Sequence, residues 1–244
     1  MPTPDDQSST MIVCDALGAV VSQTSQTSGF PASSLANPLT YERWQPLTYP
    51  ASAVVDYGDA VTVDAICLAA VSADISGVVV ASSTDGVNFT NQAFPTVDGG
   101  DVLLVRLPGA ITARYWRLTI GAGSVSVFIA GSAGVLPCQS VDTTPLRFSR
   151  DTELLPNKSN GGQWLGRSVT KKGLVGQIVI QNESHGDFDA GLNALLKRAR
   201  FSPFVYSNPV DGAFYCWTTS DPQASRGSGR LISVTIPVEA YSSE

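Results

Sequence analysis

A single histidine, four scattered cysteines and loosely spaced carboxylates limit the chemistry open to this chain. His185 is the only imidazole in 244 residues. Ser-His-Asp, Cys-His and multi-histidine metal sites would all depend on it. It lies in Glu183-Ser184-His185-Gly186-Asp187, a polar entry to a helical pattern, and is expected to be exposed or to cap that helix. Cys14, Cys67, Cys138 and Cys216 form no C-x-x-C pair and read as buried thiols. The carboxylates of Asp5-Asp6 and Asp98-Gly99-Gly100-Asp101 fall short of the ligand count of a calcium loop. Gly99-Gly100 lacks the strand-to-helix context of a phosphate loop. Glycoside hydrolysis needs two carboxylates across a cleft, and no spacing marks such a pair. The chain therefore reads as a non-enzyme that uses no cofactor.

Aromatic side chains offer a different chemistry, stacking on sugar rings. Trp44, Trp116, Trp164 and Trp217 are the candidates. Large aromatics more often anchor cores, and Trp116 and Trp217 fall in strand-like runs, so these two are read as core. Trp164 follows Gly161-Gly162 and is expected to be exposed. Arg114 and Arg117 flank an aromatic strand and read as solvated edge charges.

Composition narrows the partners. Apolar residues make up 43%, enough for a packed protein, whereas charged residues are only 15%, well below the usual quarter. Residues 1–137 carry eleven acidic against four basic residues, net −7, and residues 138–244 carry ten against eleven, net +1. This asymmetry predicts two units with different surroundings. No basic run is present for phosphate contacts, so nucleic acid is not expected as a partner. No apolar run approaches the ~18 residues of a membrane helix, and Met1-Pro2-Thr3-Pro4-Asp5-Asp6 is acidic where a secretory leader is basic. The expectation is a soluble protein made in the cytoplasm.

Most of the chain reads as short strands punctuated by turns, the pattern of a sandwich or barrel. Met11–Val13 and Ala19–Val21 come first, then a Ser/Thr/Gln-rich loop. Ala53–Gly58 and Val61–Ala70 read as two strands. The imperfect alternation of the second suits a strand covered on both faces. Gly77–Ser82, Phe89–Ala93, Val102–Leu107, Tyr115–Ile120 and Val125–Ala130 follow. Asp85-Gly86 is a favoured two-residue hairpin turn. Residues 140–162 read as an extended polar arm. Gln163–Val169 and Leu174–Gln181 read as strands about a Lys171-Lys172-Gly173 turn. The one helix predicted spans 188–200: Phe188, Leu192, Leu195, Leu196 and Ala199 share a face, Asp187 or Ser184 caps it, and Lys197, Arg198 and Arg200 suit its C-terminal dipole. Phe204–Tyr206, Gly212–Thr218 and Arg230–Pro237 complete a β-rich fold.

Two resemblances add to this. The hairpin Ala81-Ser82-Ser83-Thr84-Asp85-Gly86-Val87-Asn88-Phe89-Thr90 and the strand Ala113-Arg114-Tyr115-Trp116-Arg117-Leu118-Thr119-Ile120, with Trp44 and the Asp56–Gly58 strand end before them, resemble discoidin-like (coagulation factor 5/8 type C, galactose-binding-like) β-sandwiches. The resemblance covers about residues 32–137 and implies a binding and docking module. It also implies that Asp56, Asp59 or Asp98 is a possible ligand of a structural calcium. Residues 145–240 resemble the C-terminal part of tailed-phage baseplate or tail-tip proteins. That likeness rests on Trp164-Leu165-Gly166-Arg167-Ser168, on Lys197–Phe204, on Ala213–Thr218 and on Leu231–Val238.

Together they give a mainly β chain: an N-terminal tail and strands over 1–31, a discoidin-like sandwich over 32–137, and a tube-like, ring-forming β domain with one helix over 138–244. Strands before residue 30 joining the C-terminal part would make the sandwich an insertion. The phage resemblance implies a structural virion protein, assembled in the host cytoplasm into the tail as a distal-tail-like, hexameric ring. Its partners would be the tail tube and other baseplate or fibre proteins, with Arg147, Arg150, Trp164 and Arg167 as contact residues. The alternative is a carbohydrate-binding module for attachment to a host surface, with a glycan partner and exposed aromatics at the loop end of the sandwich.

Overall fold

Two long strands that bend back on themselves organise the first half of the chain. The computed structural model describes residues 10–13, 17–92, 102–131, 134–135, 149–150, 153–160, 163–171, 173–184, 192–208, 212–226 and 231–241. Strand β1 (Thr10–Val13) is followed by β2 (Ala19–Gln23) and by the long β3 (Ala51–Val71). β3 runs antiparallel to β6 (Val102–Ile120), with two breaks in register. Asp56 pairs with Tyr115 and Val61 with Ala113, so residues 57–60 bulge opposite Arg114 alone. Val63 pairs with Ile111 and Ala65 with Arg106, so residues 107–110 bulge opposite Asp64 alone. Bulges of this kind bend a strand and raise its twist. Here they carry both strands out of one layer and into the next.

The first layer has the order β2, β3, β6, β4 (Val79–Ser83) and β5 (Thr90–Gln92). The second layer holds the other halves of β6 and β3 together with β7 (Val125–Gly131). Alternation then sorts the side chains. Ala53, Val55, Val80, Trp116 and Leu118 face Ile66, Leu68, Phe128 and Ala130 across the sandwich core. Full burial of each large side chain is worth about 1.5–3 kcal/mol. The strand pairs expected at 53–58 with 61–70, and at 102–107 with 115–120, are thus single bent strands. Apolar alternation reads each half correctly but cannot register the bulge that joins them.

The opposite face of the second layer is also covered. Ala65, Cys67, Ala69, Val127 and Ile129 pack against Val205 and Tyr215 of a further sheet. That burial explains why β7 is buried on both faces and why the alternation in 61–70 is blurred. The further sheet has the order β8 (Gly134–Val135), β1, β13 (Phe204–Asn208), β14 (Gly212–Thr218), β16 (Leu231–Ala240), β12 (Leu174–Ser184) and β9 (Ser149–Arg150). β15 (Gln223–Arg226) also pairs with β16. Helix α1 (Asn193–Ala199) closes the stack. Leu196 and Ala199, with Leu192 just before them, meet Ile178, Ile180, Val234, Ile236 and Val238 on the outer side of this sheet.

Three local readings are corrected. The strands flanking Lys171-Lys172-Gly173 do not pair with each other. β11 (Trp164–Lys171) pairs with β10 (Glu153–Lys158), whereas β12 pairs with β16 and β9. Residues 153–158, read as part of an extended arm, are therefore one strand of a hairpin. The Asp85-Gly86 turn is longer than two residues, since Ser82 pairs with Thr90. Of the helix expected at 188–200, α1 occupies Asn193–Ala199; residues 185–191 lie outside the described ones. β1 pairs with β13 and β8, while β2 pairs with β3. The chain thus starts in the C-terminal sheet, crosses into the sandwich, and returns to β8.

The two buried tryptophans differ in one atom's environment. Trp44 Nε1 donates to Ser25 O at 2.9 Å, whereas Trp116 Nε1 is buried with no hydrogen-bond partner. Removing a paired group costs more than removing an unpaired one. Trp44→Phe is therefore expected to destabilise by about 1 kcal/mol more than Trp116→Phe, measured by urea unfolding with matched m-values.

Candidate functional site at the distal loops

The sandwich has two ends, built differently. The chain enters it at Ala19, opposite Asp56, and leaves it at Gly131, opposite Ala65. This proximal end faces the crossings to the C-terminal sheet. The distal end is built from residues 24–50, 72–78 and 121–124.

Three proximal charges, Asp56, Arg114 and Asp85, are consumed internally. Asp56 accepts two bonds from Arg114, from Nε at 2.7 Å and from Nη2 at 2.8 Å, and a third from the Gly58 N–H at 2.8 Å. The bond from Arg114 holds the Asp56 carboxyl below its ordinary range, and the same pairing raises Arg114. Asp85 is the hub of loop 84–89. Its Oδ1 accepts from the Val87 and Asn88 N–H groups, each at 2.8 Å, and from Ser83 Oγ at 2.8 Å. Its Oδ2 accepts from Asn88 Nδ2. These bonds, led by that from the Asn88 backbone, lower the Asp85 pKa. Gly86 has φ +75°, and a Cβ there would press on the Tyr115 ring at 3.3 Å. Both facts call for glycine. Arg117, half-exposed, lies 4.4 Å from the centre of the Phe89 ring, and Arg114 lies 4.9 Å from that of Tyr115.

Distal loops instead display apolar side chains on a pinned backbone. Trp44 is fully buried beneath them and exchanges backbone bonds with Val125 at 2.8 and 3.1 Å. Asn37 Nδ2 donates to Glu42 Oε2 at 2.8 Å, Asn37 Oδ1 accepts from the Leu39 N–H, and Ser126 Oγ donates to Thr40 O. Ser25 Oγ accepts from the Leu47 and Thr48 N–H groups at 3.0 Å each. Tyr49 Oη donates to Gly123 O at 2.6 Å; its burial, with Asp74 nearby, raises its pKa. Gly123 has φ +87°, and a Cβ would collide with Ile75 Cα at 2.7 Å. On this frame Tyr41 is 77% exposed and Leu47 72%, with Leu39 and Tyr49 about half as exposed. Arg43 stacks over Phe30 at 4.7 Å.

Such a surface suits recognition rather than proton transfer. Rigid aromatic faces give contact area at little entropic cost, and loops on a rigid scaffold are where binding residues concentrate. Among the described residues, the carboxylates of these loops are Glu42, which is tied to Asn37, and Asp74.

Sequence-predicted sites fall elsewhere. Arg147 lies outside the described residues, as do His185, Asp98, Cys14 and Cys138. The backbone sets Arg150 opposite Leu174 in the C-terminal sheet, Trp164 opposite Lys158, and Arg167 opposite Pro156 in the hairpin. Thus Arg150 belongs to one sheet and Trp164 and Arg167 to another; the side chains of all three lie outside the described ones. Trp217, read as core, is instead 38% exposed, and its Nε1 donates to Glu239 Oε2 at 3.1 Å. Trp44 and Trp116 are core, as are the thiols of Cys67 and Cys216. Asp56, a calcium candidate, has both oxygens committed to Arg114, and no group of three metal-ligating side chains occurs among the described residues. Tyr41, Leu47 and Tyr49 escaped the sequence reading because exposure in an irregular segment leaves no periodic trace. The one available signal was three large side chains within a few residues of Trp44.

No family model matches this chain, and no curated protein matches it. Among solved structures it is similar to the family 32 CBM of Clostridium perfringens NanJ in complex with galactose, at 21% identity and TM-score 0.43 over 52% of this chain and 99% of that one. It is similar to chitosan-binding module 2 of a Paenibacillus sp. IK-5 chitosanase/glucanase, in complex with chitotriose, at 16% identity and TM-score 0.43 over 49% and 99%. A second module of that enzyme, chitosan-binding module 1, gives 21% identity and TM-score 0.41 over 48% and 96%. The mainly β class expected from the sequence is present, with the sandwich. The tail-tip assembly gains no support from these likenesses.

Asp85 sets a pH test of the proximal loop. A carboxylate whose folded pKa is depressed contributes stability above its unfolded pKa, about 3.9, and loses it as pH falls through the lower folded value. The protein is therefore expected to lose melting temperature below about pH 4, and Asp85→Asn to show a shallower acid limb. Thermal melts from pH 2 to 6 read both slopes; parallel slopes would remove Asp85 from this role.

Proposed function

We propose that this protein is a carbohydrate-recognition protein that binds without catalysis, through the distal loops of its sandwich. The observation that carries this reading is Tyr41, exposed at 77% on a loop whose neighbours Asn37, Thr40 and Trp44 are each fixed by hydrogen bonds. A fixed loop presents the ring already ordered, so binding costs less conformational entropy. Tyr41, Tyr49, Leu39 and Leu47 supply apolar area for the CH faces of a pyranose. Arg43, Thr48 and the loop carbonyls supply hydrogen bonds to its hydroxyls.

Charge selects among sugars. The half of the chain that builds the sandwich carries net −7. Like charge disfavours polyanionic partners, so the reading is for neutral or amino sugars rather than sialylated or sulfated ones.

A glycan array followed by calorimetry tests the reading. The expected result is binding to one or more neutral or amino-sugar glycans. Tyr41→Ala should then weaken binding by roughly fivefold or more, the effect of about 1 kcal/mol of stacking, with an unchanged melting temperature. No binding across the array by folded protein would overturn the proposal.

A further inference from the structure

The C-terminal sheet reaches directly into the recognition loop. Tyr215 lies on β14, 1% exposed, in the cluster that joins this sheet to the second sandwich layer. Its hydroxyl donates to Pro38 O at 2.7 Å, across 177 residues of chain. Pro38 sits between Asn37, which holds Glu42 and the Leu39 N–H, and Thr40, whose carbonyl accepts from Ser126 Oγ. Three anchors from different elements therefore converge on the short segment that ends in Tyr41. Two of them, Asn37 and Ser126, belong to the sandwich. The third does not.

The chemistry of the anchor is specific. A proline carbonyl is an acceptor with no N–H of its own, so segment 37–40 has one fewer backbone donor with which to tie itself down. The burial of the Tyr215 ring fixes the direction of its hydroxyl. A buried donor and acceptor left unpaired are costly in a low-dielectric contact.

We infer that Tyr215 is a positioning residue for the distal site: the C-terminal sheet holds the base of the Tyr41 loop through the Tyr215–Pro38 bond and so sets the affinity of the sandwich for its ligand. The effect on affinity rests on the carbohydrate reading above; the effect on the loop does not. On this inference the C-terminal sheet is part of the binding unit and not only a support for it.

The test uses the full chain with Tyr215→Phe, which keeps the ring and its packing and removes only the hydroxyl. Tyr57→Phe is the control, since Tyr57 Oη accepts from the Ala130 N–H well away from the distal loops. Hydrogen exchange is read over peptides covering 37–44, together with calorimetric affinity for the best glycan of the array. Tyr215→Phe is expected to speed exchange over 37–44 roughly fivefold, the effect of one lost hydrogen bond on a local opening. It is expected to weaken glycan binding at a temperature far below unfolding, and Tyr57→Phe should do neither. Unchanged exchange in Tyr215→Phe would overturn the inference. Equal acceleration in both variants would also overturn it, because the cause would then be global destabilisation. If the natural chain binds no glycan, the recognition reading fails while the exchange comparison still decides the positioning role.

Discussion

The structure depends on one constraint: in the second layer of the sandwich, β7 and the second half of β3 have no face left for water. Its strands point Ile66, Leu68 and Phe128 into the sandwich core, and Ala65, Cys67, Val127 and Ile129 into the contact with the C-terminal sheet. A strand buried on both sides must be apolar at nearly every position. The low charge of the chain follows from this, because a large share of its surface-forming strands is interior. So do the small residues of the second contact, since alanines at 65 and 69 let two sheets approach closely while Val205 and Tyr215 fill the gaps.

The two ends of the sandwich are tied down in different ways by the same geometry. At the proximal end the two strands change layer through bulges, which expose backbone N–H groups without strand partners. Asp56 accepts from one of them, the Gly58 N–H, and pairs with Arg114, while Asp85 ties the neighbouring loop 84–89 through the Val87 and Asn88 N–H groups. Those carboxylates are therefore structural, which removes them from metal binding. At the distal end the loops are tied by the bonds that Ser25 accepts, by the bond from Asn37 to the Glu42 carboxylate and by the bond from Ser126 to Thr40 O. Tyr41 and Leu47 need not serve the fold, and they remain exposed.

Much of this was legible in the sequence where periodicity or a single large residue dominates. Trp116 read as core because a large aromatic in a strand-like run most often anchors one, and it is fully buried. The face of Leu192, Leu196 and Ala199 read as a helix because its period is that of a helix. The blurred alternation of 61–70 correctly indicated a doubly covered strand. What failed to show was relational. Alternation does not reveal that Ala53–Gly58 and Val61–Ala70 are one strand, because residues 57–60 look like a turn until Arg114 is seen opposite them. Nor does it reveal that β11 turns back on β10 rather than forward on β12, since both hairpins have suitable glycines and polar residues at the bend. Trp217 misled for a related reason. Its strand is central, but its position near the end of β14, opposite Glu239, lies beyond the edge of the sandwich contact.

The path of the chain decides whether sandwich and sheet behave as separate modules. β1 is laid between β8 and β13, so both crossings from the sandwich end in one sheet, on neighbouring strands. Two tethers at one end would still permit rocking at the other. The cluster around Val205 and Tyr215 removes part of that freedom along the length of the second layer, and the Tyr215–Pro38 bond removes it at the distal end. A contact fixed at both ends and filled in between cannot slide without breaking apolar packing and a part-buried hydrogen bond together. The sandwich is therefore held to the C-terminal sheet at both ends, and a change in that sheet that altered this packing would be felt first at the base of the Tyr41 loop.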